Sequence, residues 1–443
     1  MKRAAALSLA WILLCLCCPA LGERQAIPDV LRFSQSAPER EYVKDQLYIQ
    51  RTYPQTANSQ INQDMRALID GMAERGRAHL PTGRIELMPA YLDVGAEIRR
   101  TGDRWMSFLT VARIAYEREQ IYVDFDARVY DMKSGEQLTL DMLFSPDSAG
   151  WDALSSAVRE QLSAYFMDEQ ADGAALEALC SREEIARTPF TLTPGKLSLH
   201  YRADQLYPGK NTLMHVNLYY SALRPLMTEA GREITDNSKY QMIALTYDDG
   251  GGRGSSMNLM NELRAHGADA TFFIVGNMII KNHDVLCRQQ DAGFTLASHN
   301  YHHVYRDVTT ENLASWKKRF DREMDGVVGV RPGLMRAPGG YYKTFINAGA
   351  DYPMIQWNIA SGDVGNQNVK KIAGVVLENA VDGSVVLMHD INASVASYNA
   401  IILTTLEQRN FMCVTVEELF DHYGVELLPN QVYFSCVQEA SEQ

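Results

Sequence analysis

Short apolar runs recur through the second half of the chain and constrain its fold more than any other feature. The runs lie at residues 242–247, 270–275, 294–297, 334–335, 353–357, 385–388 and 411–416. Helical stretches separate them, and this alternation is typical of parallel strands that are buried on both faces and joined by crossover helices. The pattern predicts an α/β domain, built either as a barrel or as a doubly wound sheet.

The first half of the chain mixes helical stripes with alternating strands. Apolar and polar side chains alternate between Ile121 and Tyr130, as in an antiparallel sheet with one solvated face. Residues 60–72 and 151–165 carry apolar side chains at helical spacing. The 443 residues are too many for one compact core. We therefore expect a smaller α+β accessory domain ahead of the α/β domain. The expected boundaries are 23–230 for the accessory domain, 231–239 for a polar linker, 240–427 for the α/β domain and 428–443 for a C-terminal tail.

The first 22 residues have the pattern of an export signal. Lys2 and Arg3 precede a nearly continuous apolar stretch, and residues 20–22 form a small-residue cleavage pattern. The apolar stretch is short for a membrane-spanning helix, which favours cleavage over an uncleaved anchor. We expect a secreted or cell-envelope protein, held at a membrane only if this signal peptide stays uncleaved.

The charge of the chain bears on its partners. The formal net charge is -13, and no basic tract offsets it. This balance argues against nucleic acid as the main partner, because binding to a polyanion requires clustered cations.

Polar residues fall at the ends of the apolar runs. Those that follow or close a run are Asp248, Asp249, His299, Arg336, Asp363 and His389. The carboxyl ends of the strands in parallel α/β folds meet at one face, where such folds build their active sites. We expect these side chains to converge there.

A metal site is the strongest hypothesis for this face. His299 and His303 are four positions apart, a spacing that would place both on one face of a helix. Either Asp248 or Asp249 would complete a three-ligand site with an open position. Such a site could also hold iron for oxygen chemistry. A second aspartate that accepts a proton, and His389 as a proton donor, suit metal-assisted hydrolysis better.

Each of these residues has a simpler explanation when it is taken alone. Asp248 and Asp249, followed by Gly250, could form an ordinary turn. His389 alone is better explained as a buried core histidine, and arginines such as Arg336 are usually exposed. Beside carboxylates, however, Arg336 is better explained as a residue that orients the base by a charge-assisted hydrogen bond.

In these motifs the second domain resembles the NodB-type polysaccharide deacetylases, carbohydrate esterase family 4. Five motifs match in the family's order: 246–250, 299–303, 336–340, Asp363 and 387–389. An ordered set of this kind is far more specific than any single motif. The resemblance implies that the α/β domain is a distorted (β/α) barrel.

The resemblance also implies a role for each site residue. The implied roles are a base, Asp248, positioned by Arg336; a divalent metal, expected to be zinc, held by Asp249, His299 and His303; an acid, His389, tuned by Asp363; and an oxyanion donor, the backbone N–H of Gly339. The implied reaction is hydrolysis of a carbon–nitrogen bond other than a peptide bond. It would remove N-acetyl groups from an amino-sugar polymer, peptidoglycan or a chitin-like glycan, and we expect the chain to act as a monomer.

The sequence departs from the family's pattern at three single positions and in the glycine-rich run 250–254, where Gly-Pro is common. Ala337 stands where proline is frequent, Ala360 where aspartate is common, and Val364 where a tryptophan usually forms a wall beside the acetyl group. Two alternatives therefore stay open: an O-acetyl glycan esterase, or a cell-wall binding or sensing protein with an inactive barrel. The first domain resembles a module of unknown function that precedes some bacterial peptidoglycan deacetylases, on residues 130–135 and 138–141. Related modules also occur in extracellular sensors, and this favours a binding role for it.

Overall fold

The computed structural model describes residues 27–44, 47–82, 90–117, 119–250 and 252–436. The expected signal peptide, residues 1–22, and the end of the expected tail, residues 437–443, lie outside this range. None of the helices in the described part is both long enough and apolar enough to cross a membrane.

The amino-terminal half is an α+β unit, as expected. Its strands are β1 (Phe33–Gln35), β2 (Glu39–Lys44), β3 (Leu47–Thr52), β4 (Pro54–Thr56), β5 (Tyr91–Thr101), β6 (Trp105–Tyr116), β7 (Glu119–Asp131), β8 (Phe190–Leu192), β9 (Lys196–Arg202) and β10 (Leu213–Tyr219). Its helices are α1 (Ser59–Arg77), α2 (Leu140–Leu143), α3 (Ala149–Ser163), α4 (Gly173–Leu179), α5 (Arg182–Arg187), α6 (Tyr220–Leu223) and α7 (Glu229–Ile234).

Three sheets organise this half. The largest has the strand order β2-β3-β5-β6-β7 and is antiparallel except between β3 and β5. A second sheet has the order β10-β9-β8, and β1 pairs with β4. The long alternating strand expected between Ile121 and Tyr130 is β7, although Ile121 itself is exposed.

The two helices expected from apolar spacing are α1 and α3. Asn58 caps α1, because its side chain accepts hydrogen bonds from the backbone N–H groups of Gln60 and Ile61. The buried stripe of α1 includes Met65 and Ile69, which belong to the apolar clusters beneath the large sheet. Local capping and helical periodicity therefore agree with the tertiary packing.

The carboxy-terminal half is an α/β unit, which confirms the expected fold class. Its strands are β11 (Gln241–Asp249), β12 (Thr271–Ile274), β13 (Thr295–Ser298), β14 (Met354–Ile355), β15 (Ile359–Ala360), β16 (Ser384–His389), β17 (Phe411–Val414) and β18 (Val432–Tyr433). Its helices are α8 (Arg253–His266), α9 (His283–Asp291), α10 (Thr310–Val328), α11 (Tyr342–Asn347), α12 (Val369–Asn379), α13 (Val395–Gln408) and α14 (Val416–His422).

All strand pairs of this half are parallel within the described residues. The main order is β13-β12-β11-β16-β15, with β17 beside the first half of β11. Met335 extends the sheet beyond β13, because it forms single parallel bridges to Ser298 and to Met354. Each of the seven apolar runs thus lies on a strand or, for residues 334–335, on this bridge.

The closed barrel is not confirmed. The path of paired strands runs from β18 and β14, through Met335, to β16 and β15. No ladder joins β14 to β15 in the part of the chain that the structure describes. Ile355 in β14 and Ile359 in β15 are four positions apart, so these two strands lie within about 14 Å of each other. Closure of the sheet into a barrel stays a prediction.

Two segments are more ordered than their expected roles suggest. The expected linker, residues 231–239, begins inside α7, where Gly231 and Ile234 are buried. The expected tail forms β18, and it buries Tyr433 and Cys436 against the α/β core. Both segments therefore contribute to packing, because their few apolar residues find buried sites that spacing alone does not reveal.

Candidate active site

The carboxyl end of β11 presents two adjacent carboxylates. In a regular strand, consecutive side chains point to opposite faces. Asp249 has φ +88°, outside the strand region, and Gly250 continues with φ +75°. As a result both carboxylates approach the same imidazole: Nε2 of His299 lies 3.6 Å from Oδ2 of Asp248 and 3.8 Å from Oδ1 of Asp249. A non-glycine residue in this conformation is strained, and such strain concentrates at functional sites.

The two histidines reach the site from a loop after β13, so the helical-face explanation of their spacing is wrong. Residues 299–303 contain no helix, and Asn300 has φ +61°. The imidazole rings still lie 5.2 Å apart between centroids. The Nδ1–H of His299 donates to the carbonyl of Arg336 at 2.8 Å, which leaves Nε2 facing the two carboxylates.

Asp249, His299 and His303 form a group that fits a metal ion. One donor atom from each residue lies within 4.8 Å of the other two. Oδ1 of Asp249 is buried without a hydrogen-bond partner, and it lies 3.6 Å from Nε2 of His303. Burial lowers the pKa of His299, which favours the neutral imidazole that metals bind. A carboxylate oxygen without a hydrogen-bond partner, beside two imidazole nitrogens, is a donor set that suits a divalent cation.

Asp248 is held by a fully buried arginine. Nη1 of Arg336 donates to Oδ1 of Asp248 at 2.7 Å and to the hydroxyl of Thr246 at 2.8 Å. Nε and Nη2 of Arg336 donate to the carbonyls of Ile355 and Gln356. Because the guanidinium has four acceptors, it can orient the carboxylate rigidly.

A second charged pair faces the first across the strand ends. Nδ1 of His389 lies 2.9 Å from Oδ1 of Asp363, whose Oδ2 accepts hydrogen bonds from the His389 backbone N–H and from the Tyr398 hydroxyl. Burial alone would lower the pKa of His389. The hydrogen bond to Asp363 and the charges of Asp248 and Asp249 oppose that effect and raise the pKa to about 8. This histidine is suited to carry a proton at neutral pH.

The turn that follows Arg336 forms one wall of the site. Gly339 and Gly340 have φ of +63° and +75°, so the turn needs residues without a Cβ. The N–H groups of Gly340 and Tyr341 donate to carbonyls within the turn. The ring of Tyr341 stacks on that of Tyr305, with centroids 4.8 Å apart and planes inclined by 10°.

The three departures from the family's pattern lie in different surroundings. Ala337 is fully buried, so its small side chain belongs to the core. Ala360 is exposed, and Val364 is 76% exposed where an apolar wall was expected. Trp357 lies nearby, with its ring 5.5 Å from the guanidinium carbon of Arg336.

The structure brings all eight expected site residues to the carboxyl ends of the strands, and it adds others. Thr246 accepts a hydrogen bond from Arg336, and the Tyr398 hydroxyl donates one to Asp363. Tyr305 and Tyr341 form an exposed aromatic pair at the rim of the site. Thr246 lies inside the first motif and could have been singled out there. The other three carry no spacing signal, because their contacts depend on tertiary folding.

Comparison with known proteins identifies the family of the α/β half. The family model described as polysaccharide deacetylase matches residues 235–354. A peptidoglycan-N-acetylglucosamine deacetylase of Bacillus cereus is 30% identical over 200 residues, which cover 42% of this chain and 91% of that protein. This chain belongs to the polysaccharide deacetylase family.

Similarity also extends into the amino-terminal half. A peptidoglycan-N-acetylglucosamine deacetylase of Listeria monocytogenes is 26% identical over 315 residues, 69% of this chain. That match is longer than the whole α/β half, so it includes amino-terminal residues. It spans 66% of the Listeria protein, slightly less than two thirds of its length.

One solved structure is similar in sequence to part of this chain. It is the Xyl-CE4 domain of a multidomain xylanase from the hindgut metagenome of Trinervitermes trinervoides. The sequences are 27% identical, the TM-score is 0.42, and the match covers 45% of this chain and 98% of that domain.

Proposed function

We propose that this chain is a metal-dependent hydrolase that removes N-acetyl groups from peptidoglycan and releases acetate. The observation that carries the proposal is the unpartnered Oδ1 of Asp249 between two imidazoles, next to the Asp248–Arg336 pair and facing His389. The relatives named above are deacetylases of peptidoglycan, which supports this polymer as the substrate.

Three residues of the site would hold the metal. Asp249, His299 and His303 supply one carboxylate and two imidazoles, the donor set of many catalytic zinc sites with an open position, and we propose zinc. A bound divalent cation would supply Lewis-acid polarisation of the acetamide carbonyl and would promote ionisation of water.

The other residues of the site would move protons and position groups. Asp248, oriented by Arg336, would accept the proton of the attacking water. His389, kept protonated by Asp363, would donate a proton to the departing amine of the sugar. The backbone N–H of Gly339 would stabilise the negative charge that develops on the acetyl oxygen. Together these steps break the amide bond and leave acetate and a free amine.

The proposal also covers the location of the chain, the roles of its domains and its oligomeric state. Peptidoglycan lies outside the cytoplasmic membrane, so the expected signal peptide over residues 1–22 fits a secreted or envelope-associated enzyme. We propose residues 240–427 as the catalytic domain, residues 23–230 as an accessory domain that binds the same wall, and the monomer as the active form.

Acetate release from purified peptidoglycan tests the proposal. The expected result is release that requires added zinc and is lost in the Asp249→Ala variant. The matched control is Asp147→Ala, which removes an exposed carboxylate far along the chain from the site and should behave as the unmodified protein. If peptidoglycan yields no acetate while zinc is bound, the N-deacetylase proposal is wrong for this polymer.

The same assay separates the alternatives. A chitin oligomer tests whether another amino-sugar polymer is preferred. Acetylated xylan tests for an O-acetyl esterase. This arm is needed because Val364, which is 76% exposed, stands where the family usually has a tryptophan beside the acetyl group. A chain that binds zinc and peptidoglycan but releases acetate from none of the three would be a binding protein.

A further inference from the structure

A second cavity, separate from the candidate active site, lies between the two halves of the chain. Its volume is about 380 Å³, within the range of pockets that hold small ligands. The amino-terminal half contributes strands β2, β3 and β5, and the carboxy-terminal half contributes helices α8 and α9. Because both halves build its walls, the cavity exists only in the assembled chain.

Arginines line the cavity in an otherwise acidic protein: Arg40, Arg264 and Arg288. Two buried carboxylates offset part of their charge, because Glu97 lies 3.2 Å from Arg264 and Asp93 lies 3.8 Å from Arg288, but neither is among the described lining residues. The chain as a whole carries a net charge of -13. Three guanidiniums around one concave space attract an anion, because the low-dielectric walls strengthen the local field.

Two nitrogen atoms of the Arg264 guanidinium have no hydrogen-bond partner in the protein. The residue is 6% exposed, and its Nε and Nη2 are buried without hydrogen-bond partners. Nε lies 3.2 Å from Oε1 of Glu97, which compensates part of its charge without a well-aligned hydrogen bond. A Cβ on Gly95 would lie 3.0 Å from Nη2, so a glycine leaves room for this guanidinium. Buried unpaired donors are costly, and a carboxylate is the ligand that a guanidinium binds best.

The opposite wall offers flat rings and amides. Tyr48 and Tyr91 stack with centroids 5.0 Å apart and planes inclined by 2°, and the guanidinium of Arg40 lies 5.3 Å from the centre of the Tyr48 ring. Asn261 accepts a hydrogen bond from Nη2 of Arg288 at 2.9 Å. Tyrosine rings pack against the apolar face of a sugar, while side-chain amides can bond its hydroxyl groups.

We propose that this interdomain cavity binds a sugar unit that bears a carboxylate. The carboxylate would pair with Arg264 and Arg288, and the sugar ring would lie against Tyr48. The proposal goes beyond the proposed function, because it concerns a site made of different residues and does not require hydrolysis. A wall glycan whose sugar units carry a free carboxylate, one not joined to a peptide, would be held by both halves of the chain at once.

Calorimetric titration of the full chain tests this site with three probes: N-acetylmuramic acid, N-acetylglucosamine and lactate. The first has both ring and carboxylate, the second has the ring without the carboxylate, and the third has the carboxylate without the ring. N-acetylmuramic acid should bind at least about tenfold more tightly than either of the others. Equal affinity for N-acetylglucosamine or for lactate would overturn the proposal.

The Asn261→Asp variant tests whether N-acetylmuramic acid binds in the interdomain cavity. Asn261→Asp keeps the side-chain shape and the bond to Arg288 but adds a negative charge, so it should weaken N-acetylmuramic acid at least about tenfold. The matched control is Asn379→Asp, which adds the same charge at an exposed position on α12 and should bind normally. Unchanged affinity in Asn261→Asp would contradict the assignment.

Binding must also be separated from the catalytic site. The Asp249→Ala variant should bind N-acetylmuramic acid as the unmodified chain does, whether or not acetate is released from any polymer. Loss of binding in that variant would place the ligand at the candidate active site and would overturn the interdomain assignment.

Discussion

Arg336 shows how one side chain determines the geometry of the site. It is fully buried, and its donors serve Thr246, Asp248 and two backbone carbonyls. A buried charge of this kind persists only where its partners are complete. The carboxylate of Asp248 therefore has one orientation, towards His299, which is the orientation that a base beside the metal ligands requires.

The Arg336→Lys variant should lose this orientation. An ammonium group cannot serve four acceptors in the plane of a guanidinium, so we expect kcat to fall about 100-fold. The unpaired carbonyls should lower the free energy of unfolding by about 1–3 kcal/mol. Acetate-release kinetics and urea denaturation measure the two effects. Arg322→Lys, an exposed arginine on α10, is the control, and an unaltered kcat in Arg336→Lys would exclude the positioning role.

The pH profile should respond to Asp363. The protonated form of His389 is the proposed acid, so activity should fall as the pH rises through its pKa. Asp363→Asn removes the hydrogen-bonded charge that raises this pKa. The alkaline limb of kcat should therefore move to lower pH, by about one unit. The control is Tyr398→Phe, which removes one neutral hydrogen bond to Asp363 and should move the limb less. A limb that stays in place would show that His389 is not the titrating group.

The sequence was sufficient to predict which residues lie at the candidate active site, but not the local geometry of their backbone and contacts. Asp248, Asp249 and His389 were expected at strand ends because parallel sheets bring those ends together. The positive φ of Asp249 has no signature in composition or spacing. Likewise, the burial of Tyr398 against Asp363 depends on helix packing, which a single sequence does not encode in a readable pattern.

At the scale of elements, loops after the strands complete the site. The loop after β13 carries His299, His303 and Tyr305, and the turn after Arg336 carries Tyr341. The i, i+4 spacing suggested a helix, but a left-handed Asn300 turns the chain instead. Asparagine tolerates this conformation because its short polar side chain can bond locally, here to the carbonyl of His302.

The stacked tyrosines at the rim should bind the polymer. Tyr305 and Tyr341 are 37% and 50% exposed, so one ring face remains available to a sugar. Tyr341→Ala should raise KM for peptidoglycan about five- to tenfold while kcat stays the same, because the loss of about 50 Å² of buried apolar surface between the ring and a sugar costs about 1 kcal/mol. Steady-state kinetics separate the two constants. The control is Tyr423→Ala, which removes an exposed tyrosine that directly follows α14. A fall in kcat alone would contradict a binding role.

The element that sequence patterns underestimated most is β18. It pairs with β14, and the Gln356 N–H donates to the carbonyl of Tyr433 at 2.7 Å. The carbonyl of Gln356 in turn accepts from Arg336. Two paired residues are too short for a periodicity argument, so the tail could not be recognised as a strand.

Deletion of residues 428–443 should therefore destabilise the site as well as the core. Tyr433 is 4% exposed and packs edge-on against Phe420, with ring centroids 5.4 Å apart. We expect the free energy of unfolding to fall by about 2–4 kcal/mol from lost apolar burial. Denaturant titration measures the loss, and a chain that ends at residue 436 is the control. Equal stability of the two truncated chains would show that β18 contributes nothing.

At the scale of the whole molecule, buried ion pairs join the two halves. Arg99 pairs with Asp269 at 2.8 Å, and Arg100 pairs with Glu407 at 2.6 Å. Division of the chain into an α+β unit and an α/β unit was predictable from the change in apolar rhythm near residue 240. The interface between the two halves could not be predicted, because its charged residues look like ordinary surface residues in the sequence.

Lys196 and Glu418 provide the sharpest test of that interface. Lys196 begins β9 in one half, Glu418 lies in α14 of the other, and both are buried with 3.6 Å between Nζ and Oε2. Lys196→Met leaves the carboxylate buried without its cation. The free energy of unfolding should fall by about 3–5 kcal/mol, since removal of one partner exposes the full desolvation cost of the other.

The double variant shows whether the loss arises from the pair. Lys196→Met with Glu418→Gln removes both charges, so it should lose less stability than Lys196→Met alone. Lys371→Met, at an exposed position, controls for the substitution itself. A single cooperative transition in all variants is expected, because the ion pairs and the hydrogen bonds of Glu418 to Thr193 and to the backbone N–H of Gly195 join the two halves. Separate transitions for the two halves would contradict this coupling.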